Sequence, residues 1–199
     1  MSTNSSILSS NFSYDLIIIG GGISGCVFAS KYLQNRITKK IALVEVGRGL
    51  GGRSSTRMSK RFTGWKLNHG SPNLNICNIN KNQILKSFID ELLKNRFITN
   101  DDSEIVFLDG EKNSETIEKS DFLYGINYCS SFSMSQLSQN IVKVNDLGER
   151  IDFYFETLIV DLTFNDNEWV LTSRNGDKLK SKYLICSTNL LLHKRSLKI

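Results

Sequence analysis

The segment Gly20-Gly21-Gly22-Ile23-Ser24-Gly25 satisfies the pattern G-x-G-x-x-G, and Glu45 stands 20 residues beyond Gly25. Each position has a physical task. Gly20 can make a tight turn, Gly22 lets a pyrophosphate approach the backbone, and Gly25 lets a helix pack close to a strand. Ile23 and Ser24 open that helix, whose first N–H groups and positive dipole end favour an anion. A carboxylate placed as Glu45 is accepts hydrogen bonds from both hydroxyls of a ribose and repels a 2′-phosphate, which favours FAD or NAD. The competing reading is a glycine-rich structural turn with an unrelated surface Glu.

The flanking pattern decides between them. Tyr14-Asp15-Leu16-Ile17-Ile18-Ile19 is an apolar, β-branched run that reads as a buried strand. After the glycines an apolar helical pattern runs through Val27, Phe28, Tyr32 and Leu33 and ends near Asn35. Ile41–Val46 is a second buried strand, closed by Glu45. Strand, glycine turn, helix and strand make a βαβ unit, whose crossover is right-handed.

Beyond the carboxylate, Gly51-Gly52-Arg53 follows six to eight residues on. Its glycines permit close passage of the chain, and the Arg53 guanidinium can pair with a phosphate. This spacing resembles the signature of the flavin amine-oxidase superfamily, and Arg48-Gly49 looks like its renalase-like branch. Asn68-His69-Gly70-Ser71 is similar to the Asp-His-Gly-Ala segment of bacterial relatives, and places Gly70 and Ser71 near the flavin. Ile159-Val160-Asp161-Leu162 with Trp169 resembles the family's adenine-side strand, which implies a backbone contact from Ile159. Tyr183–Ser187 resembles its returning strand. The resemblance covers roughly residues 14–190 and is specific at 14–53. Departures are Asn68 for Asp, Pro72 where some relatives have Gln, Ser131 and Ser133 for Pro and Gly, and Asn189 for a strand-ending proline.

Elsewhere the chain reads as follows. Residues 47–82 are rich in Gly, Ser, Arg and Asn with little periodicity, as expected where a ligand is wrapped. An amphipathic helix follows through Ile84, Leu85, Phe88, Ile89, Leu92 and Leu93. Ile105–Leu108 reads as a strand and Gly110–Ser120 as a polar excursion. A second helix starts at Met134 with Ser133 as N-cap and runs to about Val142. Ile151–Leu162, Glu168–Ser173 and Lys178–Lys182 read as strands, joined through Asn165-Asp166-Asn167 and Asn175-Gly176-Asp177 turns. Tyr183–Ser187 is a further, buried strand.

Composition narrows the function classes. The chain of 199 residues is 40% apolar and 23% charged, as in a globular protein with one solid core. The net charge of +5 is spread along the chain without a nucleic-acid reading motif, so no nucleic-acid partner is expected. Cys26, Cys77, Cys129 and Cys186 form no CxxC and no metal-ligand spacing, which points to no metal and to a reducing, cytoplasmic location. Residues 1–13 carry no Lys or Arg and lack a leader's apolar core, so they read as a tail, and no run is long enough for a membrane span. No membrane partner is therefore expected. Of single residues, His69 reads as a loop histidine bonded to backbone, and Trp65 and Trp169 as packing residues. No nucleophile set is visible, and the catalytic residues are left unassigned.

These readings predict an α/β fold: a Rossmann-like FAD-binding domain of parallel sheet plus antiparallel β-meander, with an inserted, incomplete substrate domain. The expected division is a tail at 1–13, an FAD-binding domain at 14–78 and 128–190, part of a substrate domain at 79–127, and a tail at 191–199. The site residues are Gly20, Gly22, Ile23, Ser24, Gly25, Glu45, Arg53, Gly70, Ser71 and Ile159, and the cofactor is FAD. The resemblance implies an FAD-dependent oxidoreductase that takes hydride from an amine or a reduced nicotinamide-like small molecule. Because relatives continue beyond the last residue here, it also implies truncation or a second chain supplying the remainder. The alternative is a non-catalytic relative that keeps only binding of the ADP moiety.

Overall fold

Apolar residues on both faces of a strand require cover on both sides, and this sets the layout of the sheet. A computed structural model describes residues 13–34, 36, 39–102, 107–109, 114–116 and 125–189. Both expected tails lie outside the described residues, apart from Ser13, as does most of the Gly110–Ser120 excursion. The described residues fall into two compact units, one within Met1–Gly52 and Ser138–Ile199, the other within Arg53–Leu137.

In the first unit, β1 (Tyr14–Ile19) is followed by α1 (Ile23–Gln34) and β2 (Ile41–Val44). After the second unit the chain returns through β10 (Ile151–Tyr154), β11 (Ile159–Asn165), β12 (Glu168–Ser173) and β13 (Lys178–Cys186). The six strands form one sheet in the order β10-β2-β1-β13-β12-β11. β10, β2, β1 and β13 run parallel, and β13, β12 and β11 form an antiparallel meander. The fold is α/β and Rossmann-like, with the sheet and meander that the sequence predicts.

Ile17, Ile18, Ile41 and Leu43 are fully buried, and each contributes about 1.5–3 kcal/mol through apolar burial. Arg150, just before β10, ties that strand to the far end of α1. Its guanidinium donates to the carbonyls of Leu33 at 3.2 Å, of Lys39 and of Arg36. A cation there also complements the negative end of the helix dipole.

Two strand readings are corrected. Ile151–Leu162 is two strands, because Glu156 adopts a left-handed φ of 53° and turns the chain between β10 and β11. Lys178–Lys182 and Tyr183–Ser187 are one strand, β13, whose first half pairs with β12 and whose second half pairs with β1. Its second half is only partly covered, since Tyr183 is 52% exposed. The two-residue loop Asp166-Asn167 between β11 and β12 has φ of 51° and 62°, the geometry of a type I′ hairpin that Asn and Asp tolerate.

The second unit contains β3 (Thr56–Met58), β4 (Lys66–Asn68), β5 (Leu74–Ile76), α2 (Gln83–Lys94), β6 (Ile98–Asn100), β7 (Phe107–Asp109), β8 (Ser114–Thr116) and β9 (Ile126–Ser130). Helix α3 (Met134–Lys143) begins here and continues into the first unit. The stretch read as irregular therefore holds three short strands. Helix α2 is present, and Asn82 caps it by accepting from the Leu85 N–H at 3.0 Å. Its buried residues are Ile89 and Leu92, whereas Ile84, expected on the apolar face, is 85% exposed in the first turn.

Candidate functional site

The glycine turn forms as its residue types demand. Gly20 has φ of +110°, a conformation that side chains rarely adopt, and donates to the Val44 carbonyl at 2.8 Å. A Cβ on Gly25 would lie 2.1 Å from the Gly20 carbonyl oxygen, so only glycine permits α1 to approach β1 this closely. Gly22 differs. A Cβ there would meet nothing within 4 Å, so the fold leaves open space beside its backbone. Gly22 accepts the first helical hydrogen bond, from Cys26 N–H at 3.0 Å. The N–H groups of Ile23, Ser24 and Gly25 therefore lie in the helix's first turn, where no intrahelical acceptor exists. The adjoining loop is held by Gly51 N–H donating to the Gly21 carbonyl at 2.9 Å.

Glu45 sits just beyond β2. Its carboxylate accepts from the Gly21 N–H and from the Gly47 N–H, each at 2.7 Å. Its backbone is fixed as well, with the N–H donating to Tyr154 O at 2.8 Å and the carbonyl accepting from Thr157 N–H at 3.1 Å. A carboxylate offers about four acceptor sites, so two remain once both backbone bonds are made. The group is oriented before any ligand arrives.

These residues fit the ADP half of a dinucleotide. The open space at Gly22 and the free first turn of α1 suit a pyrophosphate, and the remaining Glu45 acceptor sites suit two ribose hydroxyls. The structure thus brings Gly20, Gly22, Ile23, Ser24, Gly25 and Glu45 together. Ile159 lies in the same unit, buried in the core with Val44, Ala42 and Leu171. A register shift between Ile159 and Asp161 interrupts the β11 ladder there.

Arg53, Gly70 and Ser71 fall in the second unit and form a group of their own. Ser71 N–H donates to the Arg53 carbonyl at 2.8 Å, and a Cβ on Gly70 would lie 1.9 Å from that same oxygen. Gly70 is thus required by the close passage of two backbone segments. The Arg53 side chain is exposed.

The start of α3 has the expected Ser133 cap and two acceptors that the sequence does not announce, Thr56 and Asn68. Asn68 Oδ1 accepts from Thr56 Oγ1 at 2.6 Å and from the Met134 N–H at 3.3 Å, while Thr56 Oγ1 accepts from the Ser135 N–H at 3.2 Å. Ser133 Oγ accepts from the Gln136 N–H at 3.3 Å, as its N-cap role requires. The first three N–H groups of α3 are satisfied by three side chains, two of them from β3 and β4. Asn68 keeps the acceptor that an Asp would offer, without its charge. No local signal could have paired Asn68 with a helix 66 positions away.

His69 is exposed, with Nε2 3.5 Å from Ser55 Oγ, and among the described residues its ring makes no bond to backbone of the kind expected. Trp65 is 71% exposed and touches Phe62, so it is not a core packing residue. Trp169 does pack, with its ring centroid 5.1 Å from that of Phe164. Burial pushes the Cys26 thiol up to about 12, with a smaller opposing effect from the Ser138 hydroxyl, so Cys26 is inert as a nucleophile. Burial also raises Tyr14, assisted by its hydrogen bonds to Tyr154 and Asp152, both at 2.7 Å.

Comparison with known proteins agrees with this geometry. Residues 18–92 match the family profile of the NAD(P)-binding Rossmann-like domain. No curated protein sequence matches the chain. Among solved structures, a protein assigned as a protoporphyrinogen oxidase from Exiguobacterium sp. 255-15 is similar with a TM-score of 0.62 at 16% identity, over 89% of this chain and 60% of that one. A putrescine oxidase triple mutant, made in a redesign of cofactor binding, has a TM-score of 0.63 at 12% identity, over 92% of this chain and 59% of that one. The Diels-Alderase of the pyrroindomycin pathway has a TM-score of 0.51 at 15% identity, over 86% of this chain and 32% of that one. The chain spans about 60% of the two oxidases' length, and at these identities the likeness is one of fold.

Proposed function

We propose that this chain binds the ADP half of FAD and belongs to an FAD-dependent oxidoreductase of the amine-oxidase type, in its renalase-like branch. The observation that carries the reading is Glu45, a carboxylate pinned by two backbone N–H groups beside an open glycine turn. The fold neighbours include two oxidases, and one of them comes from work on cofactor binding. The third neighbour, a Diels-Alderase, shows why fold alone does not assign the reaction.

The chain's own residues would act as follows. The first turn of α1 holds the pyrophosphate by its N–H groups and dipole. Glu45 fixes the ribose and disfavours a 2′-phosphate through like charge. Arg53 supplies a guanidinium to phosphate, and Gly70 and Ser71 line the chain's passage near the flavin. Bound flavin would supply the electron chemistry, accepting hydride from an amine or a reduced nicotinamide-like substrate. The remaining work of the protein is positioning and exclusion of water.

The second reading is nucleotide binding without turnover. It is favoured by His69, a loop histidine that is exposed with Nε2 3.5 Å from Ser55 Oγ, and so is not held in place as an acid or base. One experiment separates the two. The purified chain is reconstituted with FAD, and flavin reduction by amines and by reduced nicotinamides is followed anaerobically. Saturable reduction well above that of free FAD supports the oxidoreductase. FAD binding without reduction supports the second reading, and no FAD binding contradicts both.

A further inference from the structure

Between Glu45 and Asp90 the sequence has no acidic residue, and its basic residues include Arg57, Lys60, Arg61 and Lys66 on one hairpin, β3–β4. That hairpin also carries large apolar side chains in water: Met58 at 57% exposure, Phe62 at 53%, Trp65 at 71% and Leu67 at 64%. A soluble surface rarely gathers such groups without a partner. The tip is a built turn. Ser59 Oγ accepts from the N–H groups of Arg61 and Phe62, at 3.2 and 2.9 Å, and Ser59 N–H closes the hairpin on the Trp65 carbonyl at 2.9 Å. Gly64 takes the left-handed φ of +85° that the reversal needs. The Phe62 and Trp65 rings lie 5.6 Å apart, and the Arg61 guanidinium stands 5.5 Å over Phe62.

We propose that the β3–β4 hairpin is a peripheral docking site for the surface of an anionic lipid bilayer. Trp65 and Phe62 would seat at the interface, where amphipathic rings are favoured, and Lys60, Arg61 and Lys66 would lie against acidic headgroups. Charge complementarity selects an acidic partner. The aliphatic Met58 and Leu67 beside the rings select one with an apolar interior. A single-stranded nucleic acid fits less well, because the exposed aliphatic side chains Met58 and Leu67 offer no π-face on which a base could stack. A surface hairpin carries neither a leader nor a spanning run, the two patterns on which the expectation of no membrane partner rests. The proposal is independent of the cofactor.

The test uses the full chain and vesicles of phosphatidylcholine, alone or mixed with phosphatidylserine. Cosedimentation is expected only with the mixed vesicles, weakening as salt rises. Tryptophan emission should shift to the blue on binding, and Trp65→Phe should keep the binding but lose the shift, because Trp169 is already packed. Lys60→Gln combined with Arg61→Gln should bind roughly thirtyfold more weakly, at the usual contribution per neutralised charge. All these side chains are exposed, so an unchanged circular dichroism melt is expected and separates lost docking from lost folding. No sedimentation with acidic vesicles, or binding indifferent to these variants, would overturn the proposal. So would tighter binding to a single-stranded oligonucleotide, or a dimer in solution that Trp65→Ser dissolves.

Discussion

The glycine turn at Gly20–Gly25 and the crossing at Arg53–Ser71 use glycine in opposite ways. In the first, one glycine lets backbone approach backbone and another leaves a space empty. A Cβ on Gly25 would strike the Gly20 carbonyl at 2.1 Å, whereas a Cβ on Gly22 would touch nothing. In the second, Gly70 is filled against the Arg53 carbonyl, and the charged side chain that matters is left in solvent. Open space beside a glycine is not itself a site, since Gly49, Gly64 and Gly176 have it too; at Gly22 it lies at the start of α1, next to the carboxylate held at Glu45. The crowding at Gly25 and Gly70 is architectural.

The largest effect expected from this contrast is at Gly25. Gly25→Ala should destabilise the chain by about 3 kcal/mol, because the atom it meets is backbone and cannot rotate away. Gly22→Ala should leave the thermal midpoint nearly unchanged yet weaken ADP binding. Paired melts and ADP titrations check this, and a Gly22→Ala chain that melts early but binds normally would reverse the assignment. Next, Gly70→Ala should cost about 2 kcal/mol by breaking the Ser71–Arg53 backbone bond, with denaturant unfolding as the readout. A neutral result would show that the crossing is loose.

Alkaline pH gives a third effect, confined to the first unit. The Cys26 thiol is raised from 9.0 to about 12, and Tyr14 is also raised. A raised pKa means that the folded state holds its proton more tightly. The stability is thus complete below about pH 9 and is lost as pH rises towards 12. Melts between pH 8 and 11 should fall above pH 9, and Cys26→Ala should flatten part of that fall; a wild-type midpoint constant to pH 11 would count against the burial argument. The smallest effect is at Arg53. Arg53→Lys should weaken FAD binding by about 1 kcal/mol and leave adenosine binding unchanged, because adenosine has no phosphate. Equal losses for both ligands would mean that Arg53 acts through loop structure.

The same contrast explains what could be read from residue order. The Asp166-Asn167 turn and the Ser133 cap rest on interactions within a few residues, and the βαβ unit on strand and helix patterns that each lie within a short stretch, so sequence carries them directly. The split of Ile151–Leu162 was hidden because Glu156 has none of the usual turn chemistry, although its φ is 53°. The merging of Lys178–Lys182 with Tyr183–Ser187 was hidden because β13 changes partner midway, and only the partners reveal that. The acceptors at the start of α3 and the Arg150 clasp on α1 join residues 66 to 117 positions apart. Such pairings are set by topology, which a local pattern does not encode. Within the candidate site, Glu45 was found by its place at a strand end, but the two N–H groups that orient it were not.

The most direct test of the account is calorimetric titration of ADP into the wild-type chain and Glu45→Ala, with 2′-phosphorylated ADP as the comparison ligand. The wild type should bind ADP and discriminate against the 2′-phosphate. Glu45→Ala should lose about 1.5–3 kcal/mol of ADP affinity, the range for hydrogen bonds to a charged group, together with that discrimination. Equal ADP affinity in the two proteins, or a wild type that prefers the 2′-phosphorylated ligand, would contradict it.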